Sequence, residues 1–188
     1  MLLKKKKCVL TPEEYLTIES QADFRSEYFD GEMFAMAGAS RRHNRIISNL
    51  VIRLGIQLEE TPCNIYANDL KVKISKTGLY TYPDIVITCG DEIFDDKEQN
   101  VLLNPILIIE VLSDSTEAYD RGEKFLHYQH IESLMEYVLI SQNKELVERY
   151  LRQNNGNWLY SRNENNYDTV KFDSVACSLI LKKIYTKT

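Results

Sequence analysis

From residue 106 to residue 112 the chain reads Ile-Leu-Ile-Ile-Glu-Val-Leu, apolar at every position except Glu110. A short run that is apolar on both faces has the pattern of a strand inside a sheet, covered from both sides. The fold must therefore place at least one layer above this strand and one below it. Alternation along the strand sets Glu110 on the face of Ile106, Ile108 and Leu112. An ionised carboxylate left there without a partner costs several kcal/mol. The chain must answer with a cation, a water-filled pocket or a raised pKa. A structural salt bridge, or a strand end already clear of the core, answers the same pattern with no function attached.

The surrounding segments supply those layers. Thr11-Pro12-Glu13-Glu14 opens a short helix, with Thr11 as N-cap, Pro12 in the first turn and Glu14 completing a capping box. Asp30-Gly31, flanked by Ser26-Glu27-Tyr28-Phe29 and Glu32-Met33-Phe34, predicts a hairpin. From about residue 42 to residue 60, Ile46, Ile47, Leu50, Val51, Leu54 and Leu58 recur at helical spacing, and Pro62 ends the pattern. Leu70, Val72 and Ile74 alternate with Lys71 and Lys73, predicting a strand with the lysines in water. Asp84 heads the strand Ile85-Val86-Ile87-Thr88, and residues 91–100 form an acidic surface loop. Ser113-Asp114-Ser115-Thr116-Glu117 predicts a helix start, with the helix running through Tyr128. Two further strands, 136–140 and 146–151, flank a turn at Asn143. This order predicts an α/β fold, a mixed sheet with helices on its faces.

The length of 188 residues fits one domain over 1–188, with 1–10 as a flexible basic N-terminus carrying Lys4, Lys5, Lys6 and Lys7. That terminus lacks the apolar core of a signal peptide, and no stretch approaches a membrane span. Cys8, Cys63, Cys89 and Cys177 are scattered without a C-x-x-C pair, which argues against structural zinc and against a disulfide framework. A reducing cytoplasm is the simplest compartment. The formal net charge of −5 gives no whole-molecule attraction for nucleic acid, so any such activity needs local basic groups and bound cations.

Two residues gain meaning from Glu110. Asp84 alone, after Tyr82-Pro83, reads as a turn residue at a strand start. Placed beside Glu110 on a neighbouring strand, it makes a pair of oxygen ligands suited to Mg²⁺. Lys124 alone reads as a solvated helix residue, sharing a helical face with Arg121 and Tyr128. A helix packed back over the sheet can instead carry its ammonium to the same site.

Taken together, Tyr82-Pro83-Asp84, Pro105-x4-Glu110-Val111-Leu112-Ser113-x-Ser115-Thr116 and Asp120-x3-Lys124-x3-Tyr128 resemble the Uma family of restriction-type endonucleases. Glu27-x2-Asp30-Gly31-Glu32, Met36, His43, Asp69-Leu70-x-Val72 and Ser133-Leu134-x-Glu136-Tyr137 match in the same order, and the resemblance spans residues 11–184. It implies a PD-(D/E)xK nuclease with a restriction-endonuclease-like mixed central sheet flanked by helices. Asp84 and Glu110 would bind Mg²⁺, with Mn²⁺ able to substitute, and Lys124 would replace the usual strand lysine, since Leu112 stands two residues after Glu110. Glu27 matches as an auxiliary carboxylate, and His43 as a phosphate contact at a helix N-terminus. Asp69 either ends a strand or bonds nearby backbone.

The implied reaction is hydrolysis of a phosphodiester in nucleic acid, with DNA the expected substrate and a homodimer the expected form. Ser113, Ser115 and Thr116 read as helix caps, because no histidine follows where a nucleophile needs one. Two rivals stand beside this reading. One is a nuclease-fold protein without turnover that binds or assembles; the other is a metal-dependent hydrolase of small phosphate esters.

Overall fold

The computed structural model describes residues 9–97 and 100–188. Helix α1 (Pro12–Gln21) begins with the expected capping box, Thr11 and Glu14 each bonding the other's backbone N–H. Strands β1 (Ser26–Phe29) and β2 (Glu32–Ala35) follow, joined by Asp30 at φ 48° and Gly31 at φ 81°. Two positive φ values are what a tight hairpin turn matching strand twist requires. Helix α2 spans Arg41–Leu58. After it come β3 (Cys63–Ala67), β4 (Lys71–Ile74), β5 (Leu79–Thr81), β6 (Ile85–Cys89), β7 (Val101–Leu102) and β8 (Leu107–Leu112). Short helices α3 (Glu117–Arg121) and α4 (Glu123–Tyr128) lead to β9 (Glu136–Ser141), β10 (Val147–Arg152) and β11 (Trp158–Asn163). The hairpin β12 (Thr169–Phe172) and β13 (Cys177–Ile180) precedes the final turn, α5 (Leu181–Ile184).

The main sheet has six strands in the order β11-β10-β9-β8-β6-β3, and a second has five in the order β2-β1-β5-β4-β7. Strand β8 is interior, parallel to β9 and antiparallel to β6. All six of its residues are buried, as its two-sided apolar pattern requires. On one face of the main sheet, Ile46, Leu50 and Leu54 of α2 and the β12–β13 hairpin pack over Ile85, Ile87, Leu107 and Ile109. On the other, Ile108 and Leu112 meet Tyr128, Leu134, Val72 and Ile74. The architecture is the expected mixed α/β one. Among the described residues no helix is long and apolar enough to cross a membrane.

Four local expectations need correction. Lys71 is buried, because its ammonium lies over the rings of Tyr15 and Tyr82 at 5.2 and 5.5 Å and is not in water. The helix expected to run unbroken to Tyr128 divides at Gly122, whose φ of −111° and ψ of −92° leave the helical region. Cys63 and Cys89 are joined as a disulfide, which the absence of a spacing motif argued against. They stand directly opposite each other in the β3–β6 register, a relation that tertiary pairing creates and sequence spacing does not encode. Leu10, expected to belong to a flexible terminus, is held in place: its N–H donates to the Gly31 carbonyl at 3.0 Å, and the Tyr28 hydroxyl donates to its carbonyl at 2.8 Å. Lys4 to Lys7 lie outside the described residues.

Candidate active site

The β6–β8 ladder pairs Ile85 with Ile109, so one step outward sets Asp84 beside Glu110. Two carboxylates, each unremarkable in its own stretch of chain, thus meet at one end of the sheet. The backbone N–H of Asp84 donates to Glu110 Oε2 at 3.3 Å, and the N–H of Val111 donates to Asp84 Oδ2 at 2.7 Å. The other Asp84 oxygen, Oδ1, lies 3.0 Å from His43 Nε2. His43 is held in the first turn of α2, where its backbone N–H is capped by Ser40 Oγ at 3.0 Å. Helix α2 therefore aims an imidazole at Asp84, where the resemblance implied a phosphate contact.

Lys124 enters from α4 on the opposite side of Glu110. Its Nζ lies 2.9 Å from Glu110 Oε1, 3.0 Å from Glu27 Oε1 and 3.5 Å from Asp120 Oδ1. Glu27 projects from β1 and also accepts the Thr81 hydroxyl of β5. Asp120 comes from α3, one helical turn before Lys124, and keeps its contact across the break at Gly122. The Tyr128 hydroxyl, one turn after Lys124, donates to Glu110 Oε1 at 2.9 Å. Thus Glu110 Oε1 is held by an ammonium and a phenol together. Arg121, expected on the same helical face, turns away to Glu117 and Glu148 instead.

Burial sets the electrostatics. It pushes the Glu110 carboxyl up to about 8, against the pull of the Lys124 ammonium, with the charges of Asp120 and Asp84 adding to the rise. Asp120 is raised for the same first reason. Burial also works against the Lys124 charge, but the attraction of Glu110, Tyr128 and Glu27 outweighs it and holds the proton well above the ordinary lysine range. Three carboxylates around one ammonium, with Asp84 beside them as a fourth acid, leave surplus negative charge that a divalent cation would relieve. Side-chain exposure grades from 5% at Glu110 and 6% at Lys124 to 11% at His43 and 17% at Asp84. The Asp84–His43 side is therefore the open one.

The donor set fits Mg²⁺. Hard carboxylate oxygens on adjacent strands are its preferred protein ligands, and this ion characteristically takes one or two of them, with water and substrate phosphate completing the shell. Among the described residues no group of three or more His, Cys, Asp and Glu is arranged to hold a metal ion. A two-carboxylate site is compatible with that.

The five residues given a site role from the sequence, Asp84, Glu110, Lys124, Glu27 and His43, meet at this one place. Asp69 does not; it sits on the surface, 3.5 Å from Arg25. Asp120 and Tyr128 belong to the site and had been given no role. Their spacing of four residues on either side of Lys124 was the available signal. Thr81 carried none.

Comparison with known proteins agrees with the architecture. Residues 12–181 match the family model Uma2, described as "Putative restriction endonuclease". Two proteins of Synechocystis, both described as uncharacterized, are 38% identical: slr1290 over 176 residues, 94% of this chain and 91% of its own, and sll1609 over 151 residues, 80% and 85%. A crystal structure from Anabaena variabilis, titled as a "putative nuclease belonging to DUF820", superposes with a TM-score of 0.78 at 20% identity, covering 94% of this chain and 98% of that one.

Proposed function

This chain belongs to the Uma2 family, and on that premise we propose that it is a Mg²⁺-dependent endonuclease that hydrolyses phosphodiester bonds in DNA. The observation that carries the reading is the register that sets Asp84 beside Glu110 with Lys124 Nζ 2.9 Å from the latter. Asp84 and Glu110 would hold the cation. When bound, Mg²⁺ supplies a more acidic water and polarises the phosphoryl oxygens. Lys124 adds a fixed positive charge where the phosphate gains negative charge during attack. Glu27 and Asp120 keep that ammonium in place and protonated, Tyr128 orients Glu110, and His43 orients Asp84. No side chain forms a covalent bond to substrate in this scheme. Cutting both strands of a duplex calls for two such sites, so the working form in this reading is a homodimer.

The test compares the parent with Glu110→Gln, which keeps size and hydrogen-bond acceptance. The parent should nick and linearise plasmid with Mg²⁺ or Mn²⁺ and not with chelator; the variant should keep its circular dichroism spectrum and lose cleavage. Full cleavage by the variant would sink the assignment. The two-carboxylate character of the site gives the non-catalytic reading its one support, and calorimetry decides between them: a scaffold takes up no Mg²⁺ that Asp84→Asn abolishes. Parallel assays on single-stranded DNA, RNA and a mononucleotide ester identify the substrate class.

A further inference from the structure

Helix α2 buries one face against the main sheet and turns the other outward. Along that outer face lie Arg41, Arg45, Ser48, Ile52, Ile56 and Glu59, at successive three- to four-residue steps, with Glu60 beside the last. All seven are exposed, the isoleucines at 60% and 69%. The stripe is basic at its start, apolar at its centre and acidic at its end. No ion pair among the described residues engages Arg41, Arg45, Glu59 or Glu60.

These charges sit at the wrong ends for the helix that bears them. A helix favours acidic groups in its first turn and basic groups in its last. The first turn of α2 contains no acid and its last no base. The arrangement makes sense against a second helix running the opposite way. There the arginines reach the negative end of the neighbour and the glutamates its positive end. A partner with charge order minus, apolar, plus, presented antiparallel, is this same stripe reversed, which is the condition for an isologous two-fold contact.

We propose that the outer face of α2 is a homodimer interface, two copies packing antiparallel about a two-fold axis between Ile52 and Ile56. Ile52 of each copy meets Ile56 of the other, and Glu60 comes within one helical turn of the opposing Arg45. Ser48 leaves room for this approach, because its hydroxyl folds back onto the Asn44 carbonyl of its own helix at 2.8 Å. Nucleic acid is the rival occupant. It would take Arg41 and Arg45 but has no use for two exposed isoleucines followed by two glutamates. The dimer's purpose rests on the nuclease reading; its existence does not, so assembly is measured without nucleic acid or metal.

Light scattering and sedimentation of the full chain across the micromolar range test it. The parent should be a dimer, and Ile52→Asp/Ile56→Asp a monomer with unchanged circular dichroism and melting, since both side chains are exposed. Arg45→Glu and Glu60→Arg should each weaken association about tenfold, and together restore it. Added salt should weaken the parent dimer. A parent monomeric throughout, a dimer indifferent to the isoleucine substitutions, or a charge swap without rescue would each overturn the proposal. A dimer that cuts nothing supports this surface and defeats the nuclease reading; a monomer that cuts does the reverse.

Discussion

Replacing Lys124 by Met removes one positive charge from the centre of a buried group of acids while keeping nearly the same length and volume. Volume-conserving exchanges in a packed core usually cost less than about 1.5 kcal/mol, so shape alone contributes little. Charge contributes more. In the parent, Nζ faces Glu110 at 2.9 Å, Glu27 at 3.0 Å and Asp120 at 3.5 Å, and all four side chains are nearly solvent-free. Removing one partner of a buried pair typically costs about 3–5 kcal/mol, because the remaining charge has lost its compensation. For a chain of this size that corresponds to a fall in Tm of roughly 6–20 °C. The assay is urea unfolding followed by circular dichroism at pH 9 in chelator, where Glu110 is ionised in the parent, with the same measurement on Lys124→Met/Glu110→Gln. Neutralising one acid should recover a substantial part of the loss, so the two substitutions should couple strongly. The deficit of Lys124→Met should also shrink as pH falls from 9, because the orphaned Glu110 and Asp120 carboxyls, both raised by burial, take up protons on the way down. A variant within 1 kcal/mol of the parent at pH 9, about the size of an exposed ion pair, would refute the account of Lys124 as the charge that holds the site together.

Two further outcomes follow. Because Glu110 titrates near 8 in the fold against an ordinary value of 4.5, the folded state holds an extra proton between those values, so its contribution to stability is greatest at acid pH and falls as pH rises towards 8; in chelator, the parent should therefore lose stability relative to Glu110→Gln across that window, and parallel profiles would contradict the burial of this charge. At Gly31, with φ +81°, an added Cβ would stand 1.9 Å from Val9 Cγ1, so Gly31→Ala should destabilise by about 1–3 kcal/mol in the same unfolding assay and displace residues 9 and 10 from the hairpin.

Much of this was written locally. The capping box at Thr11, the Asp30-Gly31 turn, the amphipathic period of α2 and the two-sided apolar run of β8 each need only neighbours along the chain. Glu110 was visible as a functional candidate because a carboxylate in that run contradicts its surroundings. Asp84 contradicts nothing nearby, and only the β6–β8 register gives it a meaning. The Cys63–Cys89 disulfide escaped for the same reason: partners 26 residues apart are brought together by strand pairing that no spacing rule describes. Lys71 was misread because alternation speaks of faces of a sheet and cannot see two tyrosine rings arriving from elsewhere. Gly122 marked a break that helical periodicity ran through, although Asp120 and Lys124 still meet across it.

The antiparallel pairing of β6 and β8 carries a consequence beyond chemistry. The two strands bring Asp84 and Glu110 together at one end, while the chain leaves β6 after Cys89, five residue steps or about 17 Å of strand from Asp84, and re-enters β8 at Leu107 from that same far end. The spacing of the acids is thus measured off by the ladder and owes nothing to the connection between the strands. That connection also carries β7, which is buried against β4, so the stretch able to lengthen or accept a grafted module is the mostly exposed one just after β6, at residues 90–93, at the end of the sheet away from the two acids.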